Sequence, residues 1–406
     1  MSERFPPSVR QYALITGNYW AFTLTDGALR MLVVLHFHQL GYGPLQIALL
    51  FLFYEIFGVI TNLVGGWIGA RIGLNRTMNI GLGLQIAALA MLAVPVAWLT
   101  IPWVMAAQAL SGVAKDLNKM SAKSSVKSLV PDSAQGTLYR WVAALTGSKN
   151  ALKGAGFFLG GLLLGGIGFR AAVLAMAAGL MLVWLASLMM LRRDLGRARS
   201  KPKFQAMFSK GRAINVLSAA RLFLFGARDV WFVVALPVFL ATSLDWEHRS
   251  VGAFMATWVI GYGIVQAAAP RLTGRHDQPP GRVQAFAWAG LLALVPLGIA
   301  AVFGQWPAQT LLIAGLGLFG ALFAINSSLH SYLIVSYAAE DGVSLDVGFY
   351  YMANAMGRLI GTVLSGWVYQ VAGLAACLWI SAVFIAAAAL ISLALPPHAR
   401  EAASAP

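Results

Sequence analysis

Charge is scarce in this chain: only 11% of its 406 residues are Asp, Glu, Lys or Arg, and acids are the rarer kind, 14 against 29 basic residues. So thin a polar complement cannot cover a water-soluble domain of this length, which excludes an ordinary soluble globular fold. Cysteine is nearly absent. The one thiol, Cys377, excludes an intramolecular disulfide, and its place in an apolar stretch reads as a small packing or lipid-facing residue. Six histidines and one cysteine form no metal-ligand spacing, and the chain has no glycine-rich phosphate loop of the Walker type, so neither a resident metal nor ATP is expected. What is abundant is apolar: 59% of residues are hydrophobic and 42 are glycine. The net charge of +15 would suit nucleic acid, but the basic residues lie between or within apolar stretches rather than on one polar domain, so no nucleic-acid partner is expected.

A membrane-spanning helix needs about 20 mostly apolar residues. Turn residues and charge clusters divide the chain into twelve such stretches, near 13–38, 44–70, 77–99, 102–126, 137–166, 169–191, 213–242, 250–271, 283–303, 307–337, 347–371 and 374–395. They are called spans one to twelve below. The polar start, Met1 to Gln11, precedes span one without a small-residue cleavage site, so no signal peptide is expected. Loops after even-numbered spans carry Arg71 and Arg76, Lys127, the run from Arg192 to Arg212, and Arg271, Arg275 and Arg282, whereas loops after odd-numbered spans offer Arg170 and Arg249. Because Lys and Arg accumulate on the cytoplasmic side, both termini are expected in the cytoplasm, with the lipid bilayer as the medium. Residues 192–212 form a basic cytoplasmic linker, read as a topology signal rather than a binding site for lipid or nucleic acid. It separates an N-terminal six-helix half, 1–191, from a C-terminal half, 213–406. Asn150-Ala151-Leu152 matches Asn354-Ala355-Met356, and Gly58-Val59-Ile60 matches Gly263-Ile264-Val265, at nearly equal offsets. These matches suggest a duplicated unit, the repeat logic of secondary transporters.

Ionised side chains stand inside these spans: Arg30, Lys115, Lys119, Lys149, Lys153, Arg221, Arg228 and Arg358, with the acids Asp26, Glu55, Asp116 and Asp229. Each costs at least about 2.5 to 3.5 kcal/mol near the bilayer centre, so such residues are functional by default. Apart from Arg170 at the edge of span six, spans three, six, nine and twelve carry no Asp, Glu, Lys, Arg or His. Those four read as lipid-facing supports, and the others as the lining of a central polar cavity. The surplus of cation suits a multiply charged anion.

Helical spacing groups the polar residues into stripes. Tyr19, Thr23, Asp26 and Arg30 share a face of span one, where Asp26 and Arg30 can pair within the helix. Gln108, Ser111, Lys115 and Lys119 do so in span four, and Lys149 with Lys153 in span five, continuing outward as Gly156 and Gly160. Arg221 aligns with Arg228, and Tyr351 with Asn354 and Arg358. From these stripes Arg30, Lys115, Lys149, Lys153, Arg228 and Arg358 are expected to bind the anion, with Asn150, Asn354 and Tyr351 as supporting donors. Asp26, Glu55 and Asp229 are candidates for proton coupling or charge pairing. Glu55 stands out because no basic residue lies one turn away on its own helix, and Glu55→Gln is expected to change pH dependence without abolishing binding. Lys119 and Arg221 read as gate or snorkelling residues, Asp116 as the partner of another helix, and His330 as a packing histidine. The residues alone support a secondary transporter of an organic anion, needing no cofactor beyond a coupling proton. A membrane enzyme acting on anionic headgroups would need a nucleophile or metal cluster that the sequence lacks.

The resulting architecture is an all-α polytopic membrane protein of twelve transmembrane helices in two pseudo-symmetric six-helix halves. It resembles the major facilitator superfamily. The loop Gly65-Gly66-Trp67-Ile68-Gly69-Ala70-Arg71-Ile72-Gly73 is similar to that superfamily's signature, with Ala70 in place of its acid and Arg71 retained as a gating residue; Gln108 takes the usual span-four arginine position. The segments at 18–38, 109–132, 145–161 and 217–240 resemble the organoarsenical efflux permeases called ArsJ. That resemblance implies export of 1-arseno-3-phosphoglycerate made by a partner glyceraldehyde-3-phosphate dehydrogenase, arsenate resistance, and residence in a bacterial inner membrane, expected here as a monomer.

Overall fold

The computed structural model describes residues 6–42, 50–131, 133–191, 195–199, 201–208, 210–273 and 280–396. The expected start of span two at 44–49, and the loop arginines Arg192, Arg193 and Arg275, lie outside the described residues. The long elements are all helices. Span one is Pro7–Gln39, span two Leu52–Ile72, span three Leu74–Leu92 and span four Ile101–Leu129. Spans five and six are the two arms of Gln135–Met190, and spans eleven and twelve those of Val343–Ser392. Span seven runs through Arg212–Phe232 and continues as Ala235–Ser243; spans eight, nine and ten are His248–Thr273, Arg282–Val302 and Ala308–Tyr337.

Prolines just inside the starts of spans one and four fit helix entry, where the missing N–H has no intrahelical partner to lose. Glycines make the two sharp breaks. Gly168 (φ 76°, ψ 170°) ends span five, and Gly373 (φ 74°, ψ −176°) ends span eleven, in a region that only a residue without Cβ adopts cheaply. The two stand 205 residues apart, in step with the internal repeat. Among the described residues, seven of the helices are long and apolar enough to cross a membrane, and two of these seven are the broken pairs. The remaining long helices, spans one, three and four, carry the residues that dilute their hydropathy: Asp26 and Arg30, Asn75 and Arg76, and Lys115 to Lys127. Leu162, Leu182, Met189, Val371 and Val383 lie mostly uncovered by protein, as lipid-facing side chains do.

The chain packs as two compact units that do not coincide with its sequence halves. The first contains 1–134, 148–209 and 338–352; the second contains 135–147, 210–337 and 353–406. In the first, span four packs against spans three, two and one, around a core that includes Phe22, Leu32, Leu89 and Val104. In the second, span ten packs against spans eight, nine and seven, around Trp231, Leu292, Phe319 and Phe323. Cys377 is buried in this second core as a packing residue.

Close backbone approach recurs in both units. A Cβ on Gly156 would lie 2.8 Å from the Leu24 carbonyl oxygen in span one, and one on Gly361 would lie 2.5 Å from the Gly226 carbonyl oxygen in span seven. These two glycines are also 205 residues apart, so each unit joins its first helix to its fifth by the same device. Gly156→Val and Gly361→Val should each cost about 1 to 3 kcal/mol by overpacking. Thermal unfolding of the purified protein checks this, with Gly165→Ala as the control, since open space surrounds Gly165.

Candidate functional site

In the first unit, spans one, two, four and five bring charges together with Tyr351 from the start of span eleven. Arg30 does not pair with Asp26 along its own helix, as the spacing allowed. Its Nη2 reaches Glu55 Oε1 of span two at 3.1 Å, while its guanidinium lies 4.7 Å from the Tyr54 ring centre and 5.1 Å from that of Phe51. A long side chain at i+4 is drawn to the aromatic faces and carboxylate of the neighbouring helix rather than down its own turn. Asp26, 5% exposed, instead accepts the Tyr54 hydroxyl at 2.7 Å, and among the described residues it has no ion-pair partner. The absence of a base near Glu55 on its own helix is thus compensated from span one.

Asp116 is also corrected. It pairs within span four rather than with another helix: Lys119 Nζ lies 2.5 Å from Oδ1 and Lys115 Nζ 3.9 Å from Oδ2. Lys119 is one turn on along the helix, the spacing at which side chains meet, and the adjacent Lys115 reaches the second oxygen at longer range. Lys115 further sits over the Tyr54 ring at 3.7 Å. Lys119 lies 4.8 Å from the Tyr351 ring centre, held there rather than extended toward an interface. Lys123 is a residue the sequence reading missed. It is 3% exposed, donates to the Tyr351 hydroxyl and lies 4.7 Å from that ring. Its signal was the four-residue spacing of Lys115, Lys119, Lys123 and Lys127, which continues one helical face beyond the stripe that was read.

In span five, Lys149 donates to Asn150 Oδ1 at 3.2 Å. Lys153 has no hydrogen bond or ion pair among the described residues, although it stands within electrostatic reach of Arg30, Lys149 and Lys115 and of the single carboxylate Asp26. Its neighbourhood therefore holds three cations for one acid. Across the cluster, Arg30, Lys115, Lys119, Lys123, Lys149 and Lys153 face only Asp26, Glu55 and Asp116. Among these, Lys153 is the cation with no hydrogen bond or ion pair among the described residues.

The second unit holds its own cluster. Asp229, fully buried, receives Arg228 Nη2 at 2.5 Å and Arg358 Nε at 3.1 Å. Arg221 does not snorkel: it is 3% exposed, donates Nε–H to Asn354 Oδ1 at 2.9 Å and stacks 3.7 Å from the Phe225 ring centre. Its Nη1 adds longer contacts to the Ser327 carbonyl and hydroxyl, and Gln266 also donates to that hydroxyl. Asn354 is therefore engaged as an acceptor from arginine. His330 is fully buried with both ring nitrogens unbonded among the described residues. Two guanidinium groups thus share one carboxylate, with Arg221 held by Asn354 and Ser327. Arg358 and Lys153 occupy matching places 205 residues apart, so the duplicated helix brings one cation into each cluster.

A buried cation is tolerated when a carboxylate or ligand replaces its hydration. Lysine gives a compact, mobile charge, whereas arginine gives a planar fork that grips a carboxylate or phosphate with two parallel bonds. Both kinds are present in excess of their acids. Such an arrangement can receive an anion, and among the described residues no group of His, Cys, Asp and Glu could hold a metal ion.

Compared by sequence with curated proteins, the chain matches none. Among solved structures it is similar to the human organic anion transporter TETRAN (18% identity, 96% of this chain and 100% of that one, TM-score 0.75). It is also similar to the Escherichia coli fucose:proton symporter (14%, 97% and 100%, TM-score 0.76) and to a bacterial homologue of the iron transporter ferroportin in its outward-facing state (14%, 95% and 98%, TM-score 0.73). At these identities the likeness shows the fold. The family model for the Major Facilitator Superfamily matches twice, over residues 15–233 and 217–406, and the chain therefore belongs to that superfamily of membrane transporters.

Proposed function

We propose that this transporter exports a phosphorylated organic anion by alternating access, and specifically 1-arseno-3-phosphoglycerate. The observation that carries the anionic substrate is the gathering of intramembrane cations around Lys153, which has no hydrogen bond or ion pair among the described residues and stands within reach of Arg30, Lys149 and Lys115. A substrate with several negative charges supplies counter-charge to Lys153, whose dehydration cost is recovered when it binds. Arg30, Lys115, Lys149 and Lys153 hold it in the first unit, and Arg228 and Arg358 serve the same chemistry in the second. Asn150, Asn354 and Tyr351 keep their neighbouring cations in place, while Lys119, Arg71 and Arg221 act in gating. The human structure named as an organic anion transporter supports an anionic cargo. The arsenic comes from the ArsJ resemblance alone.

The reading includes two six-helix halves on either side of the 192–212 linker, both termini in the cytoplasm and a place in a bacterial inner membrane. It also includes a functional partnership with glyceraldehyde-3-phosphate dehydrogenase. Cells lacking other exporters should gain arsenate resistance only when this gene and that dehydrogenase are present together. Resistance from this gene alone would overturn the substrate.

Proton coupling belongs to the same reading, and the name of the fucose:proton symporter supports it. A coupling carboxylate must lose and regain a proton, so it cannot be locked to a cation throughout. Glu55 is held by Arg30, and Asp229 by two arginines, whereas among the described residues Asp26 receives only a neutral hydroxyl. Asp26 is thus the preferred proton carrier, in place of Glu55. Asp26→Asn should flatten the pH dependence of transport in proteoliposomes, and Glu55→Gln should retain it. The opposite pattern would return the role to Glu55.

A further inference from the structure

The turn between spans two and three carries a second basic site, away from the clusters above. Arg71, Arg76, Arg197 and Lys201 line a cavity of about 370 Å³ with Trp67, Ile68 and Ile72. The linker is strapped across this turn. Leu74 N–H donates to the Leu195 carbonyl at 2.9 Å, Ala198 N–H donates to the Ala70 carbonyl at 2.9 Å, and Trp67 Nε1–H donates to the Pro202 carbonyl at 3.0 Å. Gly196, at φ 66°, lets the strap press against Leu74, where any Cβ would collide with that side chain. Two of the basic residues thus arrive from the turn and two from the linker. A topology signal requires only the charges, not a shared cavity.

We infer that this pocket binds the phosphate of an anionic phospholipid. Four basic side chains on one lining select a phosphate-bearing group. The apolar part of the lining favours a lipid source over a soluble one. Trp67 packs edge-on against Phe204 at 5.6 Å, its ring also lies under Arg71 at 4.8 Å, and Phe204 and Phe208 project largely uncovered from the short helix that follows. Aromatic rings beside basic residues at the ends of spans sit at the headgroup level of a bilayer. The bound lipid would hold the linker against the turn.

The test uses the full-length protein in nanodiscs containing either phosphatidylcholine alone or a fraction of phosphatidylglycerol, followed by native mass spectrometry of co-purified lipid. The variant is Arg76→Gln with Arg197→Gln and Lys201→Gln, three exposed positions whose loss spares the buried core. The wild-type protein should retain phosphatidylglycerol in preference to phosphatidylcholine, and the triple variant should retain about tenfold less or lower still, since each basic residue near an anionic surface contributes appreciably. Retention that is equal in the two proteins would overturn the site. Displacement of the lipid by millimolar inorganic phosphate or glycerol 3-phosphate would overturn the lipid source and leave a soluble phosphate as ligand.

Discussion

Asp229→Asn should unfold or severely weaken the second unit. The carboxylate is fully buried and is the shared partner of Arg228 and Arg358, whose side chains are 16% and 35% exposed. Removing it takes the shared carboxylate away from two guanidinium groups that stand close together. Breaking a buried pair in this way costs about 3 to 5 kcal/mol, and the partial exposure of Arg358 argues for the lower end. The loss should appear as a melting temperature reduced by several degrees and as failed transport. Adding Arg358→Gln to Asp229→Asn removes one of the two repelling charges and should recover part of the melting temperature without recovering transport. A single variant that melts like the parent would mean that the arginines are already neutralised from elsewhere.

Lys153→Gln should have the opposite effect on stability and the larger effect on function. Its ammonium stands near Arg30, Lys149 and Lys115 with only Asp26 to offset them, so its charge opposes folding. Neutralising it should raise the melting temperature. If the same ammonium binds substrate, the loss of one charge-assisted hydrogen bond should weaken affinity by about tenfold to a hundredfold. A residue kept at a cost to stability and required for binding is the expected signature of a functional charge. A variant that becomes less stable and binds as before would make Lys153 a structural residue.

The two predictions differ because the clusters differ, and that difference was only partly legible in the sequence. Spans and their breaks were legible, since apolar length and turn residues are local signals; the break expected between 166 and 169 falls at Gly168. The duplication was legible only faintly from three-residue matches. It becomes plain when Gly156 and Gly361, and Gly168 and Gly373, are seen doing the same work at one offset. Which residues carry charge in the membrane was largely readable, because few residues there are polar. Their partners were not. The spacing of Asp26 and Arg30 allowed a pair, but the rings of Phe51 and Tyr54 and the carboxylate of Glu55 drew the guanidinium to span two. Tyr351 stood on the stripe of Asn354 and Arg358, yet it meets Lys119 and Lys123. Helical spacing fixes which residues share a face, and packing between helices decides what that face meets.

Titration of the purified protein with 3-phosphoglycerate and with an uncharged sugar such as fucose, followed by calorimetry, tests the anion-binding claim most directly. 3-Phosphoglycerate should bind, fucose should not, and Lys153→Gln and Lys149→Gln should each weaken the binding about tenfold or more. Binding of fucose with none of 3-phosphoglycerate, or phosphoglycerate affinity unchanged in both lysine variants, would contradict it.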